Sequence, residues 1–426
     1  MPKLPPIQFI HEQLKNGLEV ILYRNNRIPL THVTLHYRVG SSHETKGKSG
    51  LAHLFEHLMF QGSHNVGKAE HGRYIDSVGG RWNATTSKDR TNYYQTIPSS
   101  ALDLALWLEA DRLQSLEVSP ENFENQRKTV IEEKKQSYDN RPYGNAFLRF
   151  DELAYENWAY GHPIIGSVKD LEKMTVEDAS AFHTRHYGPD RCVLVISGDI
   201  EESHALKRVK HYFGSLGSQT NSLSSPDLSE PKQKKEKIEN IHDKLAPLSA
   251  AYMGYHMPPS GTLEHYSLSM LAAVLARGQS SRLYRRLVYE NNWVTGLSVG
   301  PNQYHGPQMF CLWMQFQQDV SQKVVLNAIE DELERVRQDP VSAEELEKAR
   351  NQILYRAASS RERVETLGES LARFATCFGD PSLINQETNR FLDVTVTQIL
   401  ETAQQILTRR NRTVLLIQNN SSEIDR

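Results

Sequence analysis

Two strand-like stretches open the chain. Gly17-Leu18-Glu19-Val20-Ile21-Leu22-Tyr23 runs into the turn-forming Arg24-Asn25-Asn26-Arg27. His32-Val33-Thr34-Leu35-His36-Tyr37-Arg38-Val39 then alternates as a half-buried strand does. Over 50–60 the pattern turns helical: Leu51, Leu54 and Leu58, with Ala52, Phe55 and Met59, make a broad packing surface. A helix over 68–78 is predicted to stop at Gly79-Gly80, because glycine takes the left-handed backbone of a helix end without strain. Strands are predicted over 81–86 and 91–96. Amphipathic helices follow over 102–113 and 119–136, the second with Pro120 near its first turn. A further strand over 192–197 stops at Gly198-Asp199, and 202–213 reads as a helix.

A polar stretch comes next, Gly217-Ser218-Gln219-Thr220-Asn221-Ser222, with the charged residues 232–239 behind it. It is the best domain boundary in the chain. Beyond it the order repeats: a strand over 248–256, a helix over 263–276, a strand over 308–315, helices over 324–337 and 342–355, and a late strand at Leu415-Leu416-Ile417. Ser342 and Glu345 have the spacing of a helix capping box. The reading is α+β with two similar domains: 1–217, then a linker over 218–240, then 241–426. The 426 residues fit two or three domains at about 150 residues each.

Composition narrows the function classes. Apolar residues are 38% and charged residues 24%, too apolar for a disordered chain. The net charge of −3 argues against a nucleic-acid binder, and the lysines of 232–237 lack the interleaved aromatics of a single-strand binder. Cys192, Cys311 and Cys377 lie too far apart for a metal motif or a disulfide scaffold. No apolar run reaches the ~18 residues of a membrane span. The N-terminal text has no apolar targeting core, so the sequence as written reads as cytoplasmic, or as periplasmic if a signal peptide has been removed. His64 and His71 have no second ligand at helical spacing and are expected at the surface.

The sharpest chemistry is His53-Leu54-Phe55-Glu56-His57. Histidines four apart share a helical face and can present both imidazoles to one metal. Glu56 borders that face, close enough to take a proton from a metal-held water without being a ligand. Catalytic zinc usually has three protein ligands, so a third must come from elsewhere. The 119–136 helix offers Glu132 and Glu133, and periodicity alone does not choose between them. The plain alternative is that the two histidines are ordinary polar residues of a packed helix.

The motif is the inverted zinc-protease pattern, and the wider chain resembles the pitrilysin-like zinc proteases, in the branch of mitochondrial processing peptidase and its bacterial relatives. Gly50 through Ser63 carries the resemblance, with Gly79-Gly80-Arg81-Trp82-Asn83-Ala84, Thr91-Asn92-Tyr93-Tyr94, Val130-Ile131-Glu132-Glu133-Lys134, Asn140-Arg141-Pro142-Tyr143-Gly144, Gly161-His162-Pro163 and Ser281-Arg282-Leu283-Tyr284. It implies one zinc held by His53, His57 and Glu133, with Glu56 as general base. It implies that Asn83 and Ala84 lie on an edge strand that binds extended peptide by strand addition. The implied fold is half of a clamshell protease, each domain a mostly antiparallel sheet packed with helices.

Two positions depart from the family pattern. A second acidic residue seven before the ligand glutamate is replaced by Gln126, which can orient a histidine but adds no charge. The family also uses an Arg and Tyr pair from the second domain near the oxyanion; 296–317 offers Tyr304 but no arginine, while Arg282 and Tyr284 sit near a helix start. The resemblance therefore implies a zinc endopeptidase for peptides or unfolded segments, working as a homodimer or as a heterodimer with a metal-free paralogue. The competing reading is a non-catalytic or partner-dependent subunit of a two-chain assembly.

Overall fold

The alternating segment Leu30–Tyr37 becomes the middle of a sheet, buried along nearly its whole length. Its β-branched and aromatic residues suit a pleated surface covered on both faces. A computed structural model describes residues 4–218, 226–302 and 304–419. The strands of the first sheet are β1 (Ile10–Gln13), β2 (Glu19–Arg24), β3 (Leu30–Tyr37), β4 (Arg81–Thr86), β5 (Thr91–Pro98) and β6 (Cys192–Gly198), in the order β1-β2-β6-β3-β5-β4. The second sheet holds β7 (Lys237–His242), β8 (Ala250–Met257), β9 (Val294–Pro301), β10 (Gln308–Phe316) and β11 (Arg412–Gln418), in the order β7-β11-β8-β10-β9.

The repeat expected from the order of elements is written into this topology. Leaving β1 aside, each sheet arranges its five strands as first, fifth, second, fourth, third. In each, the first strand runs parallel to the fifth, and every other pairing is antiparallel. The edge strand β4 of the first sheet thus matches β9 of the second. The helix Leu51–Leu58, between β3 and β4, matches Leu263–Ala276, between β8 and β9. The first has a polar face with two histidines. The second is buried along Tyr266, Leu268, Met270, Leu271 and Leu275 and only packs.

The compact units do not follow a contiguous split. One comprises Met1–Glu132, Pro163–Asp227 and Ala357–Gln386; the other comprises Glu133–His162, Leu228–Arg356 and Glu387–Arg426. Two helices explain the difference. Gly144–Ala154 comes from the first half of the chain, yet Ala146, Phe150 and Ala154 pack with Ala250, Met309, Leu415 and Ile417 of the second sheet. Val364–Phe378 comes from the second half, yet Leu367, Leu371 and Phe374 pack on Ile21, Val193 and Val195 of the first. Gly368 lets that helix approach closely, since a Cβ there would meet Ser197 Oγ at 2.4 Å. The neighbouring Glu369 accepts hydrogen bonds from His32 Nε2, His36 Nε2 and Asn92 Nδ2 at 3.1, 2.9 and 2.8 Å.

Phe150 is 1% exposed and stacks on Tyr252 with ring centroids 3.9 Å apart. Phe150→Ala should destabilise the protein by about 3–5 kcal/mol, read as a lower denaturation midpoint in urea.

Several local expectations meet the structure differently. The linker expected over 218–240 already contains the start of β7, whose residues alternate half-buried and exposed, and part of it lies outside the described residues. His71 is buried at 5% exposure, against Phe60 and Trp82, with Nε2 3.3 Å from Gln95. Burial first, then Arg112, holds its pKa well below the ordinary value and keeps it neutral. The cap at Ser342 is present: its N–H donates to Glu345 Oε2 at 2.8 Å, and Glu345 N–H donates to Ser342 Oγ at 3.1 Å. Among the described residues no helix is long and apolar enough to cross a membrane.

Candidate active site

The helix Leu51–Leu58 is held by its buried face, where Leu51, Ala52, Leu54, Phe55 and Leu58 pack inward. Phe55 stacks on His183 at 5.2 Å and meets Tyr187 at 4.5 Å. Its start is fixed just as firmly. Gly50 sits at φ 90°, and a Cβ there would meet the Ile165 carbonyl oxygen at 2.8 Å, so only glycine fits. Glu44, six residues before Gly50, folds back to supply the cap that glycine lacks. Its carboxylate accepts from Gly50 N–H at 2.9 Å and Ala52 N–H at 2.7 Å, which satisfies two of the orphan donors at that end. With the apolar face fixed, His53, Glu56 and His57 are left on the half-buried side.

The helix Pro120–Lys134 brings the third group. Asn122, Phe123 and Val130 root it, and a π-helical turn, Lys135–Asp139, follows directly. Glu132 is exposed and Glu133 is half-buried. One ligand atom from each of His53, His57 and Glu133 lies within 4.8 Å of the others. Periodicity left Glu132 and Glu133 both open; the grouping selects Glu133. Tetrahedral zinc with bonds near 2.1 Å separates its ligand atoms by about 3.4 Å, so two imidazoles and a carboxylate at this spacing fit the ion with small side-chain adjustments.

Glu56 faces β4. Thr86 Oγ1 donates to Glu56 Oε2 at 2.5 Å. β4 pairs with β5 on one side only, through Asn83↔Tyr94 and Ala84↔Tyr93 among others, and is the edge of its sheet. Ala84 is buried, and Asn83 is exposed with Oδ1 accepting from Ala84 N–H at 2.8 Å. Sequence reasoning missed Thr86 and Glu44. The alternation of a strand over 81–86 carried a signal for the first, because Ala84 and Thr86 are two apart and share a face.

Two family models cover most of the chain: Insulinase (Peptidase family M16) over residues 19–167 and Peptidase M16 inactive domain over residues 173–353. The chain belongs to the M16 peptidase superfamily. It is similar to the zinc protease PqqE of Helicobacter pylori, at 28% identity over 396 residues, 92% of this chain and 88% of that one. A crystal structure of a protease from Helicobacter pylori matches with a TM-score of 0.93 at 26% identity, covering 97% of this chain and 100% of that one. The periplasmic protease PqqL from Escherichia coli matches in fold with a TM-score of 0.82 at 20% identity. There the match covers 99% of this chain but 49% of the other.

The remaining family positions are less gathered. Gln126 is half-buried on the Glu133 helix. Tyr304 packs with Tyr155 and Tyr160, and its hydroxyl donates to Asp151 Oδ2 at 3.0 Å. Burial first, then Asp151, pushes the phenol well above its ordinary pKa, so it stays a donor. Arg282 is a structural residue of this M16 chain. Its guanidinium is paired with Glu345 at 2.6 and 2.7 Å and with Glu332 at 3.2 Å.

Proposed function

We propose that this M16 protein is a zinc-dependent endopeptidase for peptides and extended, unfolded segments, in the branch of mitochondrial processing peptidase and its bacterial relatives. The observation that carries the reading is the grouping of His53, His57 and Glu133 on one side of the helix that also bears Glu56. One zinc per chain bound there would polarise the scissile carbonyl and make a water acidic at neutral pH. Glu56 takes the proton of the attacking water and returns it to the leaving amine. The open edge of β4, around Asn83 and Ala84, holds the substrate main chain as an added strand. Gln126 orients the ligand set without adding charge.

The His53→Ala variant should lose the metal almost completely, and Glu133→Gln should bind it more weakly because the ligand charge is gone. Elemental analysis after dialysis checks both. Stoichiometric metal at unchanged affinity in His53→Ala would overturn the site.

The working form is two chains. The 296–317 segment has no arginine, and Tyr304 is engaged by Asp151, so that segment lacks at least one of the oxyanion donors that the family pattern implies. A homodimer repeats that deficit, so a heterodimer with a metal-free paralogue is favoured. The single E. coli chain of about twice the covered length is the fold-level precedent. The alternative, a non-catalytic subunit, has no use for a metal group with a base beside it. Solution mass measured alongside turnover of a quenched peptide, with and without the paralogue, separates these forms. Periplasmic and cytoplasmic placement both remain compatible with this function, and a fractionation experiment distinguishes them.

A further inference from the structure

We propose that Thr86 is a positioning residue for Glu56, fixing the base's carboxylate and tying it to the strand that grips substrate; this rests on the base role given to Glu56 above. The contact is short and charge-assisted: Thr86 Oγ1 to Glu56 Oε2 at 2.5 Å. A hydroxyl has one proton to give, and here the carboxylate receives it. The adjacent hydroxyl, Thr91 Oγ1, directs its own proton to the Val39 carbonyl at 2.9 Å and lies 3.5 Å from Thr86 Oγ1. Thr86 Oγ1 is at most an acceptor toward Thr91, so its own proton is left for the carboxylate.

The place of Thr86 in the fold makes this more than a chance contact. It is the last residue of β4 and is paired directly with Thr91 of β5. A β-branched side chain on a paired strand has little χ1 freedom, so the backbone of β4 dictates where the hydroxyl points. Ala84, two residues earlier on the same face, is buried at 6% exposure. A peptide laid along the open edge of β4 orders the strand whose end holds the base. Substrate docking and base alignment then share one rigid element, and positioning errors near 1 Å cost about 10²-fold in rate.

The test compares Thr86→Val, which keeps the shape and removes the donor, with Thr86→Ser, which keeps the donor. Full-chain protein is used, with the paralogue if turnover requires it. Thr86→Val should lower kcat about 10–100-fold with KM nearly unchanged and zinc content at the wild-type level. Thr86→Ser should recover most of kcat. In metal-free protein, the infrared carboxylate band that vanishes in Glu56→Gln should shift in Thr86→Val and stay in place in Thr86→Ser. Should Thr86→Val fail to fold, Thr86→Ala carries the same comparison. Wild-type kcat in the donorless variant, or a rise in KM alone, overturns the proposal while leaving Glu56 as base. Wild-type turnover in Glu56→Gln would instead overturn the base reading and Thr86 with it.

Discussion

Glu56→Gln is expected to keep its metal and lose peptide hydrolysis. The substitution preserves the size of the side chain, and its amide can still take the hydrogen bond that Thr86 Oγ1 now gives to Oε2. What disappears is the ability to accept a proton. General acid–base catalysis contributes about 10²–10⁴-fold in rate, and misplacing the attacking water would add to the loss. The group that could hold the metal is untouched, because it draws one ligand atom from each of His53, His57 and Glu133 and none from Glu56. The helix should hold as well: Gly50 and Glu44 fix its start, and Leu51, Leu54, Phe55 and Leu58 fix its buried face. Turnover of a quenched peptide, elemental analysis and thermal unfolding on one preparation check all three points. Wild-type turnover in a sequence-verified variant would remove Glu56 from the mechanism.

The metal group was legible because its chemistry is local. Five consecutive residues, His53 to His57, carry the two candidate ligands and the proposed base, and the helix period alone puts them on one side. Choosing Glu133 over Glu132 was different. On a helix the two lie about 100° apart, so the choice depends on how the helix is rolled, and Asn122, Phe123 and Val130 decide that through packing. Strand alternation puts Thr86 on the face of Ala84, but that this face meets Glu56 depends on how the strand packs against the helix, which no local pattern encodes. The same distinction runs through the fold. The strands of both sheets and helices such as Leu263–Ala276 follow from periodicity and turn residues. That Val364–Phe378 covers the sheet of the other half depends on Gly368 and Glu369 meeting Ser197, His32, His36 and Asn92, contacts more than 150 residues apart in sequence.

Cutting the chain between Asp227 and Leu228 should leave two fragments that do not fold separately. A contiguous two-domain protein would survive that cut, since each piece would keep its own core. Here the first fragment loses Val364–Phe378, and with it Leu367, Leu371 and Phe374 on the face formed by Ile21, Val193 and Val195. Each large apolar side chain left in water forgoes about 1.5–3 kcal/mol, against a typical net stability of about 5–15 kcal/mol. His32 and His36, both buried, also lose the carboxylate of Glu369. The same fragment retains Gly144–Ala154 with Phe150 and no second sheet to receive it. That helix follows the turn after Glu133, so its disorder should reach the end of the helix that carries this candidate ligand, and zinc binding should be lost too. Co-expression of residues 1–227 with 228–426 should restore folding, because each piece then supplies the helix the other lacks. Circular dichroism melts, size exclusion and zinc content of the separate and co-expressed fragments provide the measurement. A cooperative melt with bound zinc from residues 1–227 alone would mean that the exchanged helices are dispensable and that the first half folds as an independent domain.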